Sequence, residues 1–191
     1  MIDHLTSQFT EQDQVAITYL YCDYRDQGSQ TLVNLLGSLL KQFLTMNSLI
    51  SVPGEVRCAL EVIEKKRIRV EMADILGMVK LTLSNFCRSF ICIDALDELQ
   101  PDVRQALLKA LCEGFTSHRG VQLFLTARPH IPQEVNDCLR ISHNAIDVIA
   151  YGDDIRAYLI RQIALDTSPT AMNESLKAEI LHTIVEKSEG M

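Results

Sequence analysis

The sequence has no apolar run approaching the roughly 20 residues that a helix needs to cross a bilayer. Its start, Met1-Ile2-Asp3-His4, lacks the basic and then apolar segments of a signal peptide. Six cysteines are present, but none forms a C-x-x-C pair, and Cys87 and Cys92 have no second pair to complete a zinc site. A basic excess is missing as well. Against 18 Lys and Arg stand 25 Asp and Glu, a formal net charge of −7 that argues against a phosphate-binding, nucleic-acid surface. Repeats and low-complexity stretches are absent. These gaps leave the expectation of a soluble, reduced, cytoplasmic chain whose partners are proteins, with no nucleic acid and no membrane.

What is present is globular in composition. The 191 residues are 47% hydrophobic and 23% charged, enough for one ordinary domain with a real core. The organising stretch is Ser89-Phe90-Ile91-Cys92-Ile93-Asp94-Ala95-Leu96-Asp97-Glu98-Leu99. Phe90 to Ile93 suit a strand buried on both faces, as in a parallel sheet. Asp94, Asp97 and Glu98 follow at once, where an open α/β sheet gathers its functional groups beyond the carboxyl ends of its strands.

Around it the chain alternates strand and helix signals. Residues 1–12 look like the last turns of a helix. Val15–Tyr21 is dense in β-branched and aromatic residues and reads as a strand. Ser29 is a candidate cap for a helix whose Leu32, Leu35, Leu36, Leu39, Leu40 and Phe43 share one face. Pro53 opens a second helix to about Lys66, and a third covers about Glu71 to Asn85 with Ile75, Leu76 and Val79 inward. Pro101 starts another, through Leu107, Leu108 and Leu111, closed near Gly114. Val121–Thr126 reads as a further buried strand ending in Ala127-Arg128-Pro129, and Ile141–Ala150 as a weaker one. Asp153 and Asp154 begin a helix, and a last helix, about Asn173 to Lys187, turns Leu176, Ile180, Leu181 and Ile184 inward. The pattern predicts an α/β fold with a mostly parallel sheet flanked by helices.

Two readings of the acids stand side by side. Asp94 at a strand end can hold a divalent metal, Glu98 can act as a base on water, and Asp97 can contribute beside it. Alternatively, carboxylates just before the helix at Pro101 complement its N-terminal dipole. Arg128, at the end of the next strand, is suited to bidentate contact with a γ-phosphate, or to a structural bridge with those acids. Either role makes the two strand ends neighbours.

Asp94-Ala95-Leu96-Asp97-Glu98 on its apolar strand resembles the Walker B segment of a P-loop NTPase. Together with Val15–Asp26 (VAITYLYCDYRD), Gln30–Leu44 (QTLVNLLGSLLKQFL), Leu123–Pro129 (LFLTARP) and Asp153–Leu159 (DDIRAYL), the sequence resembles the NACHT-type NTPase domain of fungal STAND proteins, the nephrocystin-3-like N-terminal domains. The resemblance implies ATP or GTP with Mg²⁺ as cofactor. It matches Asp94 to the metal-site acid, Glu98 to the catalytic base and Arg128 to the sensor arginine, a nucleotide-binding position.

One departure is large. No G-x-x-x-x-G-K-[ST] occurs, the loop that supplies the backbone cradle, the phosphate-binding Lys and the Ser/Thr ligand to Mg²⁺. The family places that loop one helix upstream of Val15–Tyr21, and its preceding strand in mid-sheet. The expectation is therefore a partial, P-loop NTPase-like three-layer fold lacking the central first strand and the P-loop. Residues 1–165 would form the partial core and 166–191 the start of a following helical region. Three parallel strands are expected in the order 15–21, 90–94, 121–126, with 141–150 displaced, poorly paired or re-paired with 121–126. The function implied is a fragment of a nucleotide-dependent signalling switch, unable to bind or hydrolyse nucleotide alone. The alternative is an interaction module acting through helical faces, self-association or association with full-length relatives; a gene-model fragment without a role of its own is the third reading.

Overall fold

The computed structural model describes residues 2–9, 13–46, 52–115, 118, 120–129, 131–139, 144–165 and 173–188. Two compact units are present, Met1–His143 and Asn144–Met191.

The first unit is built on three strands, β1 (Val15–Tyr21), β2 (Arg88–Asp94) and β3 (Val121–Leu125), parallel and in the order β1-β2-β3. The register aligns Val15 with Arg88 and Tyr21 with Asp94, and Ser89 with Val121 and Ile93 with Leu125. All three carboxyl ends thus lie along one edge. β2 is central, which is why Ser89 to Ile93 can be buried without alternation.

Side-chain alternation gives the sheet two unlike faces. Ala16, Leu20, Ile91 and Ile93, with the half-buried Val121, Leu123 and Leu125, join the main core. Against that face lie α2 (Leu32–Thr45), α4 (Met72–Leu83) and α5 (Pro101–Phe115), contributing Leu36, Leu39, Val79, Leu107, Leu108 and Leu111 at full burial. Each such side chain contributes about 1.5–3 kcal/mol by leaving water. The opposite face is aromatic. There Phe9, just after α1 (Ile2–Gln8), stacks on Phe90 at 5.7 Å, and Phe90 on Phe124 at 6.2 Å. Helix α3 (Gly54–Lys66) buries only Val56, and α6 (Pro132–Leu139) packs on α5.

Some local expectations need correction. Thr31, not Ser29, caps α2, its hydroxyl accepting from the Asn34 N–H at 3.3 Å. Ser29 instead donates to Asp26 Oδ2 at 2.5 Å, because the polar turn before the helix competes for the same hydroxyl. Helix α6 has no counterpart among the expected elements: Val135, Cys138 and Leu139 keep helical spacing, but over only eight residues. Residues 144–150 form neither helix nor strand, and 141–143 lie outside the described residues. Among the described residues this strand-forming composition meets no ladder, so 144–150 is left unpaired, the poorly paired outcome among those expected.

In the second unit α7 (Gly152–Leu165) packs on α8 (Glu174–Ser188). Ile180 and Leu181 are half-buried, whereas Leu176 and Ile184 stay 39% and 42% exposed, so only part of the expected inner face of α8 is covered.

Candidate functional site

The site forms along the carboxyl edge of the sheet, where the chain leaves β2. Ala95 sits at φ 55° and ψ 47°, a left-handed conformation uncommon for a residue with a Cβ. That kink turns the backbone out of the strand into a single 3₁₀ turn, Leu96–Glu98, held by Glu98 N–H to Ala95 O at 2.9 Å. Leu96 and Leu99 are buried, so the acids between them are presented on the other side.

Thr126, the first residue beyond β3, fastens the kink. Its N–H donates to Ile93 O and its carbonyl accepts from Leu96 N–H, each at 2.9 Å. Its hydroxyl accepts from Ala95 N–H at 2.9 Å and donates to Asp94 Oδ1 at 2.5 Å. Asp94 is thereby held by one oxygen, while Oδ2 meets no donor among the described residues.

The other acids diverge from Asp94. Asp97, its side chain only 9% exposed, receives the Arg128 N–H on Oδ1 and faces the Arg128 guanidinium through Oδ2, both at 3.2 Å. Arg128 itself is 72% exposed. Glu98 reaches the opposite way, its Oε2 accepting the Tyr24 N–H at 3.0 Å and tying the loop after β2 to the loop after β1. That second loop is braced by Gln30, which bonds both backbone groups of Asp23. Asp23 in turn accepts from Arg25, which draws its carboxyl down to about 2.

The field of these acids is felt beneath them. Cys22 donates its N–H to Asp94 O at 3.1 Å, and its thiol is pushed up to about 12 by burial first and then by Asp94, Glu98 and Asp97. The thiol is therefore inert near neutrality. None of the six cysteines is in a disulfide.

Tertiary structure thus joins Asp97 with Arg128 and places Asp94 on the same edge, but sends Glu98 toward β1. No cluster of three or more His, Cys, Asp or Glu able to hold a metal ion occurs among the described residues. Asp94 fits a hard cation as one carboxylate ligand, with water and phosphate oxygens completing the shell, the way Mg²⁺ is commonly held. Thr126 was not singled out by residue type. Its signal is positional: a hydroxyl one residue past an apolar strand, expected to be buried but only half-buried on one face, that runs parallel to the strand bearing Asp94.

The site lies within a wider match. Residues 1–128 match the family model described as Nephrocystin 3, N-terminal, a span reaching from α1 through Arg128. No curated protein matches the chain. With two thirds of its length covered by that model, the chain belongs to the nephrocystin 3 N-terminal family.

Proposed function

We propose that this chain carries the metal-and-water side of a nucleotide site, within a NACHT-type domain that serves as an ATP- or GTP-dependent signalling switch. The observation that carries the reading is the joining of two strand ends by function-bearing groups: Asp94 to Thr126, and Asp97 to Arg128. Asp94 would supply the metal ligand and Glu98 the base, through the Oε1 that the Tyr24 bond does not use. Asp97 would hold Arg128 until a phosphate replaces it. The Arg128 guanidinium is 72% exposed and so accessible to a phosphate, while Asp97 would keep the Arg128 N–H. Bound Mg²⁺ would neutralise charge on the phosphate oxygens. The sequence contains no Gly-Lys loop, so the chain by itself holds nucleotide weakly and does not hydrolyse it.

The test uses Mn²⁺ with ATP as a paramagnetic probe of the ¹⁵N-labelled chain. Broadening should centre on the amides of Ala95, Thr126 and Arg128 and vanish in Asp94→Asn. Broadening elsewhere, or none, refutes the site. Tight Mg²⁺-dependent ATP binding lost in Asp94→Ala refutes the claim of weak binding.

One observation favours the second reading, an interaction module. Tyr151, Tyr158 and Leu165 recur at seven-residue intervals on and just before α7 and are 67%, 62% and 63% exposed. Loss of association with a family member in Tyr158→Glu, with the Mn²⁺ pattern intact, would support this reading over the switch.

A further inference from the structure

The two edges of the sheet are finished differently. Along β1, the Tyr19 N–H donates to Gln42 Oε1 at 2.9 Å and Gln42 Nε2 donates back to Tyr19 O at 2.8 Å. The Ile17 N–H points at Met46 Sδ, 3.1 Å away. Side chains from α2 and the residue after it thus close that edge, a protection edge strands commonly need.

Along β3 there is no such closure. Gly120 O accepts from Ser89 N–H and Thr126 N–H donates to Ile93 O, so even-numbered residues turn their backbone groups toward β2. The period of two turns those of Val121, Leu123 and Leu125 outward. His118 O takes the Val121 N–H at 3.1 Å. Among the described residues nothing meets the outward N–H or C=O of Leu123 or Leu125. The strand also carries no charge and no proline to discourage pairing.

The same chain holds a strand-forming segment that pairs with no strand among the described residues. Ile146, Val148 and Ile149 are 84%, 93% and 58% exposed, within residues that adopt neither helix nor strand. Ile146-Asp147-Val148-Ile149-Ala150 repeats the apolar-polar-apolar-apolar-apolar order of Val121-Gln122-Leu123-Phe124-Leu125. Laid parallel in that register, Ile146, Val148 and Ala150 extend the row of Val121, Leu123 and Leu125 that faces the main core. Asp147 then falls beside Gln122, whose amide can donate to the carboxylate, and Ile149 falls beside Phe124.

We propose that the open edge of β3 takes Ile146–Ala150 of a second copy of this chain as an added parallel strand, exchanged reciprocally in a two-fold dimer. Exchange covers both open edges at once and leaves none to recruit further copies. Since each copy carries a formal charge of −7, the dimer tightens as salt screens the repulsion.

Light scattering after gel filtration and amide hydrogen exchange test this on the full chain. The wild type is expected to dimerise, more tightly at higher salt, with the Leu123 and Leu125 amides protected as the dimer fills. Ile149→Pro, at an exposed position whose N–H would donate to Leu123 O, should give a monomer with unchanged helix content and fast exchange at both amides. Asp147→Lys should weaken the dimer about tenfold, the pair occurring twice, and Gln122→Glu in the same chain should restore it. A monomer at all concentrations overturns the proposal, whether or not the two amides are protected. So does a dimer that persists in Ile149→Pro, or a failure of Gln122→Glu to rescue Asp147→Lys.

Discussion

Replacing Thr126 by Val removes one hydroxyl and almost no volume, so it isolates the fastening of the kink after β2. The hydroxyl takes the Ala95 N–H at 2.9 Å and gives its proton to Asp94 at 2.5 Å. A neutral bond of the first kind is worth about 1 kcal/mol net, and one to a charged group about 1.5–3 kcal/mol. Asp94 and Thr126 are both exposed, so water replaces much of the second contribution. Ala95 is only half-exposed and is held in a left-handed backbone that a residue with a Cβ resists, so the loss of its amide's partner is less easily compensated. The total comes to about 1–2 kcal/mol of local opening, which corresponds to about 5–30-fold faster exchange of the Ala95 amide. Native-state hydrogen exchange followed by NMR reads that amide directly. Thr126→Ser keeps the hydroxyl and should hold the rate near the wild-type value. Unchanged exchange in Thr126→Val, or equal acceleration in both variants, would refute the claim that this hydroxyl holds the kink.

Other consequences are open to the same kind of check. Arg104, buried on α5, binds Glu134 of α6 through two nitrogens at 3.0 and 2.8 Å and Leu99 O through a third at 3.0 Å; Glu134 Oε1 already lacks a partner among the described residues. Arg104→Met strands that carboxylate and should cost about 3 kcal/mol by urea denaturation, whereas Arg104→Met with Glu134→Leu should recover most of it. A Cβ on Gly120 would meet the Cys87 carbonyl oxygen at 2.4 Å, so Gly120→Ala must push β3 from β2 and should cost about 1–3 kcal/mol, measured by thermal melting. Cys22 titrates near 12 when folded against an ordinary 9.0, so the folded state keeps a proton that the unfolded state loses between those values. Stability should therefore fall as pH rises from about 9 toward 12, less steeply in Cys22→Ala, and at pH 8.5 iodoacetamide should label the exposed Cys58 and Cys87 but spare Cys22.

Much of this molecule is written locally. Four adjacent apolar residues, Phe90 to Ile93, determine a strand buried on both faces, and the helical spacing of Leu35, Leu36, Leu39, Leu40 and Phe43 determines the buried side of α2. That the strands run parallel follows from the helices intervening between them, whereas their order was what the family resemblance implied. Asp94, Asp97, Glu98 and Arg128 were visible as residue types at strand ends, and sequence alone could place them on one edge. It could not say which groups meet. Asp97 takes Arg128, Glu98 takes the Tyr24 backbone, Asp94 takes Thr126 and Gln42 closes β1, across separations of 23 to 74 residues. No periodicity reaches that far. Those pairings depend on the register of β1 on β2 and of β2 on β3, which sets the strand ends level, and for Gln42 on the packing of α2 against β1. Register in turn depends on packing the whole core at once, which only the tertiary structure does. The same holds for Ile146–Ala150: its composition specifies a strand, but a strand forms only where a neighbouring backbone offers hydrogen bonds.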